Sequence, residues 1–400
     1  MLTGFRRASL VGAAMLTGGC SRDSITSPDT AGLGPSPANQ SAVDLPVATL
    51  DQLYAAVNDP SNAGKRVVVA PGKYLLDSTY PNGGRIQLQK DMTLSGLTGH
   101  PGAVTIDASN LSAAALTDGA LVTGAIRVGR GSNTVEWLSV RNAVKGAAGI
   151  TTDLFLPGRT VVTIAHVVVS GSPRGFDIRN TGSSAAGRLL EVVLSDNEVV
   201  HNLIGTGQGM RIANLLGADG ARIHATLDGN YSHGNIAGLL AANQGVSSAS
   251  VAIESHEDRF EGNGNGIVLL GGIIQGTVAA SRNLTRFSAT GTHVTGNTGQ
   301  LGTTFPARFG IGVYGGVRTG AVAASDNTAE LNLTDVGIAD NGGPDIAAWG
   351  AISSTTVPAG TGNLAMVRLF GSSINAGVVP VGSDPAEPAG TNRVVVVRGV

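Results

Sequence analysis

Residues 225–240 read ATLDGNYSHGNIAGLL and residues 253–268 read IESHEDRFEGNGNGIV. Aligned on Asn235 and Asn263, each runs an alternating strand into an Asn, with Gly and an apolar residue following three positions later, Gly238-Leu239 and Gly266-Ile267. A residue type that returns to the same place marks a solenoid, because one coil alone cannot cover its apolar face and must stack on the next. Working outward, Gly146, Ser172, Asn202, Asn297 and Asn341 close further strands of this kind, and Gly149, Gly175 and Gly205 stand three residues on. Ile150 and Phe176 follow two of these glycines and open the next strand. From Gly146 to Asn341 the successive spacings are 26, 30, 33, 28, 34 and 44 residues, so loops of unequal length leave one side of the coils.

A column of Asn at a corner passes side-chain amide hydrogen bonds from coil to coil, and Asn and Gly both tolerate the left-handed backbone of a sharp turn. Asn202, Asn235, Asn263, Asn297 and Asn341 are therefore read as a structural ladder. The expected fold is all-β, a single-stranded right-handed parallel β-helix of roughly nine to eleven coils at about 4.8 Å per coil.

Composition agrees. Among 400 residues there are 59 Gly and only 4% aromatic residues, the profile of a chain that turns sharply and often. A net charge of -2 with no dense Lys/Arg run gives no footprint for nucleic acid, whose phosphates need clustered positive charge. The single Cys, Cys20, excludes an intrachain disulfide framework and any multi-cysteine metal site.

Cys20 closes a leader. Arg6 and Arg7 form a positive start, Ala8 to Leu16 a short apolar run, and Leu16-Thr17-Gly18-Gly19-Cys20 resembles the lipobox of bacterial lipoproteins, although Thr17 stands where Leu is usual. That resemblance implies cleavage before Cys20, its lipidation, and export to a membrane-anchored position at the cell surface or the periplasmic face. Residues 1–20 are thus the signal peptide, 21–45 a Ser/Pro/Gly-rich disordered tether and 46–400 the folded domain. No later stretch has the roughly 20 apolar residues that a membrane-spanning helix needs, so the lipid anchor is the expected membrane contact.

The folded region opens with Leu50, Leu53, Tyr54 and Val57 on one helical face, Thr49 as N-cap and Pro60 as stop. Short strands follow in VVVAPGKYLL and MTLSGL. This order, a short capping α-helix and then a ladder of strands, resembles the opening of the pectin-lyase-like β-helix family. Membership implies the fold but not an activity. Uronate lyases of that family use Ca²⁺ and a Lys or Arg base, yet no Lys occurs after Lys145, and the signature motifs of the pectate lyases, polygalacturonase-like hydrolases and alginate epimerases are absent.

Candidate chemistry lies along 196–293. His233 and Glu261 share a column with Thr295, two residues before the corner Asn, and form the candidate acid–base pair. Arg174, Arg211, Arg222 and Arg308 are candidate forks for sugar carboxylates, and Tyr314, with Phe305 and Phe309, a candidate stacking surface. His256, Glu257 and Asp258 are candidate Ca²⁺ ligands, weakened by the alternation that sends consecutive strand residues to opposite faces. Two functions follow. One is a monomeric module that binds a polysaccharide or a cell-surface partner along its coil face without catalysis and without a cofactor. The other is a carbohydrate-active enzyme, a uronate lyase with Ca²⁺ or a hydrolase, working in a groove on the helix.

Overall fold

Among the described residues three long parallel sheets carry the chain, of 12, 10 and 10 strands, and from Arg66–Val69 onward successive strands of each sheet are separated by a strand from each of the other two. The computed structural model describes residues 43–399 apart from 119–120, 147, 153–158, 275–277, 300–307, 319–321, 323, 354–359, 375–376 and 381–391. Cys20 and Phe305 lie outside the described residues, as does the tether up to residue 42. Each coil gives one strand to each sheet, so among the described residues the ten strands of the second and third sheets mark ten coils. The first sheet adds Asp44–Val47 at one end and Arg393–Arg398 at the other. The fold is a right-handed parallel β-helix. Its first strand begins two residues before the expected domain boundary at 46, because Asp44 and Leu45 already pair with Arg66 and Val67.

The helix Leu50–Asn58 forms where the periodicity placed it. Thr49 Oγ1 accepts from the N–H of Gln52, a donor the first turn leaves open, and Gln52 Oε1 reaches back to accept from the N–H of Ala48 just before the cap. Leu53, Tyr54, Ala56 and Val57 are buried with Val67, Ile86 and Leu94 in the core.

Register explains the core. In the third sheet Ile126, Ile150, Phe176, Met210, Leu239, Ile267, Ile311 and Ile346 stand opposite one another in successive coils, and all are fully buried. Immediately before them runs a glycine column, Gly149, Gly175, Gly209, Gly238, Gly266 and Gly310. A Cβ on Gly238 would lie 2.6 Å from the Gly266 carbonyl and 2.9 Å from Asn263 Nδ2, so these coils approach too closely for any side chain. Gly209, rather than the expected Gly205, fills the column in its coil.

The Asn ladder is present and its bonding is uniform. The N–H of Asn202 donates to Asn235 Oδ1 at 2.9 Å, Asn235 to Asn263 at 2.9 Å, Asn263 to Asn297 at 2.9 Å, and Asn297 to Asn341 at 3.1 Å. Ser172 precedes them, and Ala143 rather than Gly146 precedes Ser172. The expectation that these Asn adopt the left-handed backbone is corrected. The residue before each does so instead: His201, Gly234, Gly262, Gly296 and Asp340 all have φ between 53° and 64°. Each corner is therefore one left-handed residue, which swings the chain, followed by one buried residue that bonds along the axis. A left-handed L-residue other than Gly costs about 1–2 kcal/mol, which accounts for the glycines among them.

The same two-residue corner builds further ladders. Between the first and second sheets, Asn197 donates its N–H to Asn230 Oδ1 at 3.2 Å and Asn230 to Asp258 Oδ1 at 2.7 Å. Between the third and first, Asn283, Asn327, Asn363 and Asn392 repeat the pattern.

Candidate functional site

Alternation on the three-residue strands of the second sheet sends the middle residue into the core and the other two outward. Register then sets Glu198, Tyr231, Arg259 and His293 in one outward column and Val200, His233, Glu261 and Thr295 in the next. His233 and Glu261 are thus neighbours on adjacent coils, as expected, but their polar ends are engaged elsewhere. His233 Nε2 lies 2.9 Å from Glu198 Oε1. Glu261 accepts from Arg259 Nη2 at 2.8 Å. Burial alone would raise the Glu261 carboxyl, but hydrogen bonds from Arg259 and Tyr231 outweigh it and hold the group below its ordinary range.

Tyr231 is the centre of this surface. Its ring stacks on His233 at 4.1 Å and 17°, and the Arg259 guanidinium lies 4.6 Å from its centroid. The platform of imidazole, phenol and guanidinium is flanked by the carboxylates of Glu198 and Glu261, with side-chain exposures of 45% and 26%.

The arginines expected to hold sugar carboxylates do not converge, and two are corrected outright. Arg211 forks onto Asp177 on the third sheet, with Nε and Nη2 each 2.7 Å from one carboxylate oxygen, and Arg179 Nη1 lies 3.3 Å from the same carboxylate. Asp177 has no exposed surface. Burial would raise its carboxyl, yet Arg211, Arg179 and Arg174 outweigh that and hold it far below the usual range, so this is a buried ion cluster inside the protein. Arg174 donates Nε to Gln208 at 2.8 Å, and burial, with Arg211 nearby, lowers it to about 10. Arg222 starts a strand of the first sheet, and Arg308 is exposed outside any strand, beside Gly299. Tyr314 is 1% exposed, stacked on Trp349 at 4.4 Å and 3° within an apolar cluster with Phe309, so its ring is a packing element.

The acidic stretch at 256–258 is dispersed by its own corner. His256 is exposed at the end of a first-sheet strand, Glu257 takes the left-handed turn at φ 54°, and Asp258 is buried in the second ladder. These three do not fit a Ca²⁺ site, and among the described residues no group of three His, Cys, Asp or Glu side chains is placed to hold a metal.

Two features escaped the sequence reading. The Tyr231–Arg259 contact follows from register, one column nearer the turn than His233 and Glu261. At the corner between the first and second sheets, Trp137 and His166 both adopt left-handed backbone, φ 58° and 54°, with rings stacked at 3.7 Å and 13°. Two such corners cost about 2–4 kcal/mol, whereas a stacked pair returns about 0.5–1.5 kcal/mol.

No protein-family model and no curated protein matches the chain. Among solved structures it is similar to the A-module of the mannuronan C-5 epimerase AlgE4 of Azotobacter vinelandii, at 17% identity and TM-score 0.47 over 87% of this chain and 90% of that one. It is also similar to the catalytic unit of a GH87 alpha-1,3-glucanase from Streptomyces thermodiastaticus, at 12% identity and TM-score 0.38 over 90% and 68%. A third is PfbA, a surface adhesin of Streptococcus pneumoniae, at 11% identity and TM-score 0.28 over 86% and 90%.

Proposed function

We propose that the protein is an exported lipoprotein, anchored through Cys20, whose solenoid binds glycan along the outer face of its second sheet without transforming it. The observation that carries this reading is the stack of Arg259, Tyr231 and His233, with Glu198 and Glu261 beside it. Tyr231 and His233 are half-buried and Arg259 is exposed, so a sugar meets the ring edges and guanidinium of the stack, and the flanking carboxylates accept its hydroxyls. Neither of the two shifted carboxyls on this face, Glu261 and Asp258, suits general-acid work. A general acid near neutral pH needs a carboxyl raised toward that range. Glu261 is lowered instead, and Asp258, raised to about 6, is wholly buried away from any substrate. Coils about 4.8 Å apart suit a polysaccharide laid parallel to the axis, where they meet successive sugar units.

Retention on immobilised neutral and uronate polysaccharides tests this for the wild type and for Tyr231→Ala. The reading expects retention on at least one glycan, weakened roughly tenfold or more by the substitution while the circular dichroism spectrum is unchanged. Retention indifferent to Tyr231, or none on any glycan, overturns it.

A further inference from the structure

The corner column between the first and second sheets runs Trp137, His166, Asp196, Gly229, Glu257, Gly291, Asp335 and Gly371, and every one of these residues has positive φ. Six of the eight are Gly, Asp or Glu. The two exceptions are large rings on successive coils, stacked on each other and half-buried. The left-handed backbone is shared by the whole column and is held by axial hydrogen bonds as each coil closes, so the corner itself asks for no ring; two stacked rings left half-exposed there point to a ligand. His166 Nδ1 lies 3.7 Å from Asp196 Oδ2, and the Asp196 side chain is 60% exposed, so the row presents an indole, an imidazole and a free-facing carboxylate in three consecutive coils.

We propose that Trp137, His166 and Asp196 form a binding ridge for a neutral sugar ring. The indole packs against the C–H groups of the ring, and the imidazole and carboxylate bond its hydroxyls. A uronate in the same place would meet the Asp196 carboxylate as a like charge, which selects against it. The proposal rests on the glycan-binding reading and extends it toward the N-terminal coils, since register places this corner beside the column that leads through Glu198 to Tyr231.

The decisive variant is Trp137→Gly, because Gly is the residue the corner's backbone favours and the substitution removes only the ring. The full chain and this variant are titrated with neutral and uronate oligosaccharides, with thermal unfolding in parallel. Trp349→Phe supplies a background in which Trp137 is the sole tryptophan. The ridge predicts a change in Trp137 emission on adding neutral oligosaccharide, a roughly tenfold rise in Kd for Trp137→Gly, and a thermal midpoint equal to or above wild type. A midpoint several degrees lower shows that the rings serve folding and overturns the proposal. Glycan binding that depends on Tyr231 while Trp137 emission and Trp137→Gly affinity do not change also overturns it, and leaves the glycan-binding reading standing. Absence of binding to any oligosaccharide sinks both.

Discussion

The N–H of Asn202 donates to Oδ1 of Asn235 at 2.9 Å, one coil further along the axis, and Asn235 Nδ2 donates back to the Val199 carbonyl at 2.9 Å. Each ladder residue so satisfies two backbone groups that face the dry interior of a corner. Without this, every coil would bury polar groups that strand pairing cannot reach. The ladder is therefore what lets the chain turn tightly and remain closed.

Asn235→Ala leaves the Asn202 N–H and the Val199 carbonyl unpaired in a buried corner. The expected loss is about 1–3 kcal/mol for each buried group left unsatisfied, seen as a lower urea midpoint. The same substitution at exposed Asn110, outside any ladder and not in left-handed backbone, should change the midpoint little.

Gly238→Ala places a methyl 2.6 Å from the Gly266 carbonyl, where the stacked backbone cannot withdraw. Overpacking of this kind costs about 1–3 kcal/mol. Gly102→Ala, where a methyl meets nothing within 4 Å, is the control and should leave the thermal midpoint within a degree or two.

Asp258 makes stability depend on pH. Burial pushes its carboxyl up to about 6 from 3.8, against hydrogen bonds from Ser255 and Asn230 that lower it. Because the folded-state value exceeds the unfolded one, the fold holds the proton more tightly. The resulting stability is complete below about pH 4 and is lost as pH rises through about 6, a change of about 3 kcal/mol. Urea unfolding between pH 4 and 7 measures it. Asp258→Asn, which continues the run of Asn197 and Asn230, should flatten that part of the profile and raise the midpoint at pH 7.

Asp177→Asn removes the carboxylate that Arg211 and Arg179 share. Buried cations left without their counter-charge cost about 3–5 kcal/mol. Thermal unfolding should show a larger loss than Glu191→Gln, whose partner Arg159 is exposed at 63%.

The coils were legible because stacking forces like residues into register: Ile150, Phe176, Leu239 and Ile267 were readable as one column directly from their place after Gly149, Gly175, Gly238 and Gly266. Counting back one residue from each buried strand opener would have found Gly209, and counting two residues on from the end of the preceding second-sheet strand, as Ser172 follows Ser170, would have found Ala143 after Arg141. The second and third ladders carry the signature of the first, a left-handed residue and then Asn, as in Asp196-Asn197, Gly229-Asn230, Asp326-Asn327 and Gly362-Asn363. The surface was less legible. Periodicity fixes which column a side chain occupies, but not whether His233 turns to Glu198 or to Glu261, nor that Arg211 is consumed by Asp177. Those outcomes depend on side-chain reach and burial, which pairwise spacing does not encode.

The central claim is that glycan is held and left intact. Glycan retained by the wild-type protein is eluted after prolonged incubation, with Ca²⁺ or with chelator, and its chain length and unsaturation are read by mass spectrometry. The account predicts a chain-length distribution identical to the input and no unsaturated ends. Shortened or unsaturated fragments that disappear with His233→Ala would contradict it and make the His233–Glu198 pair catalytic.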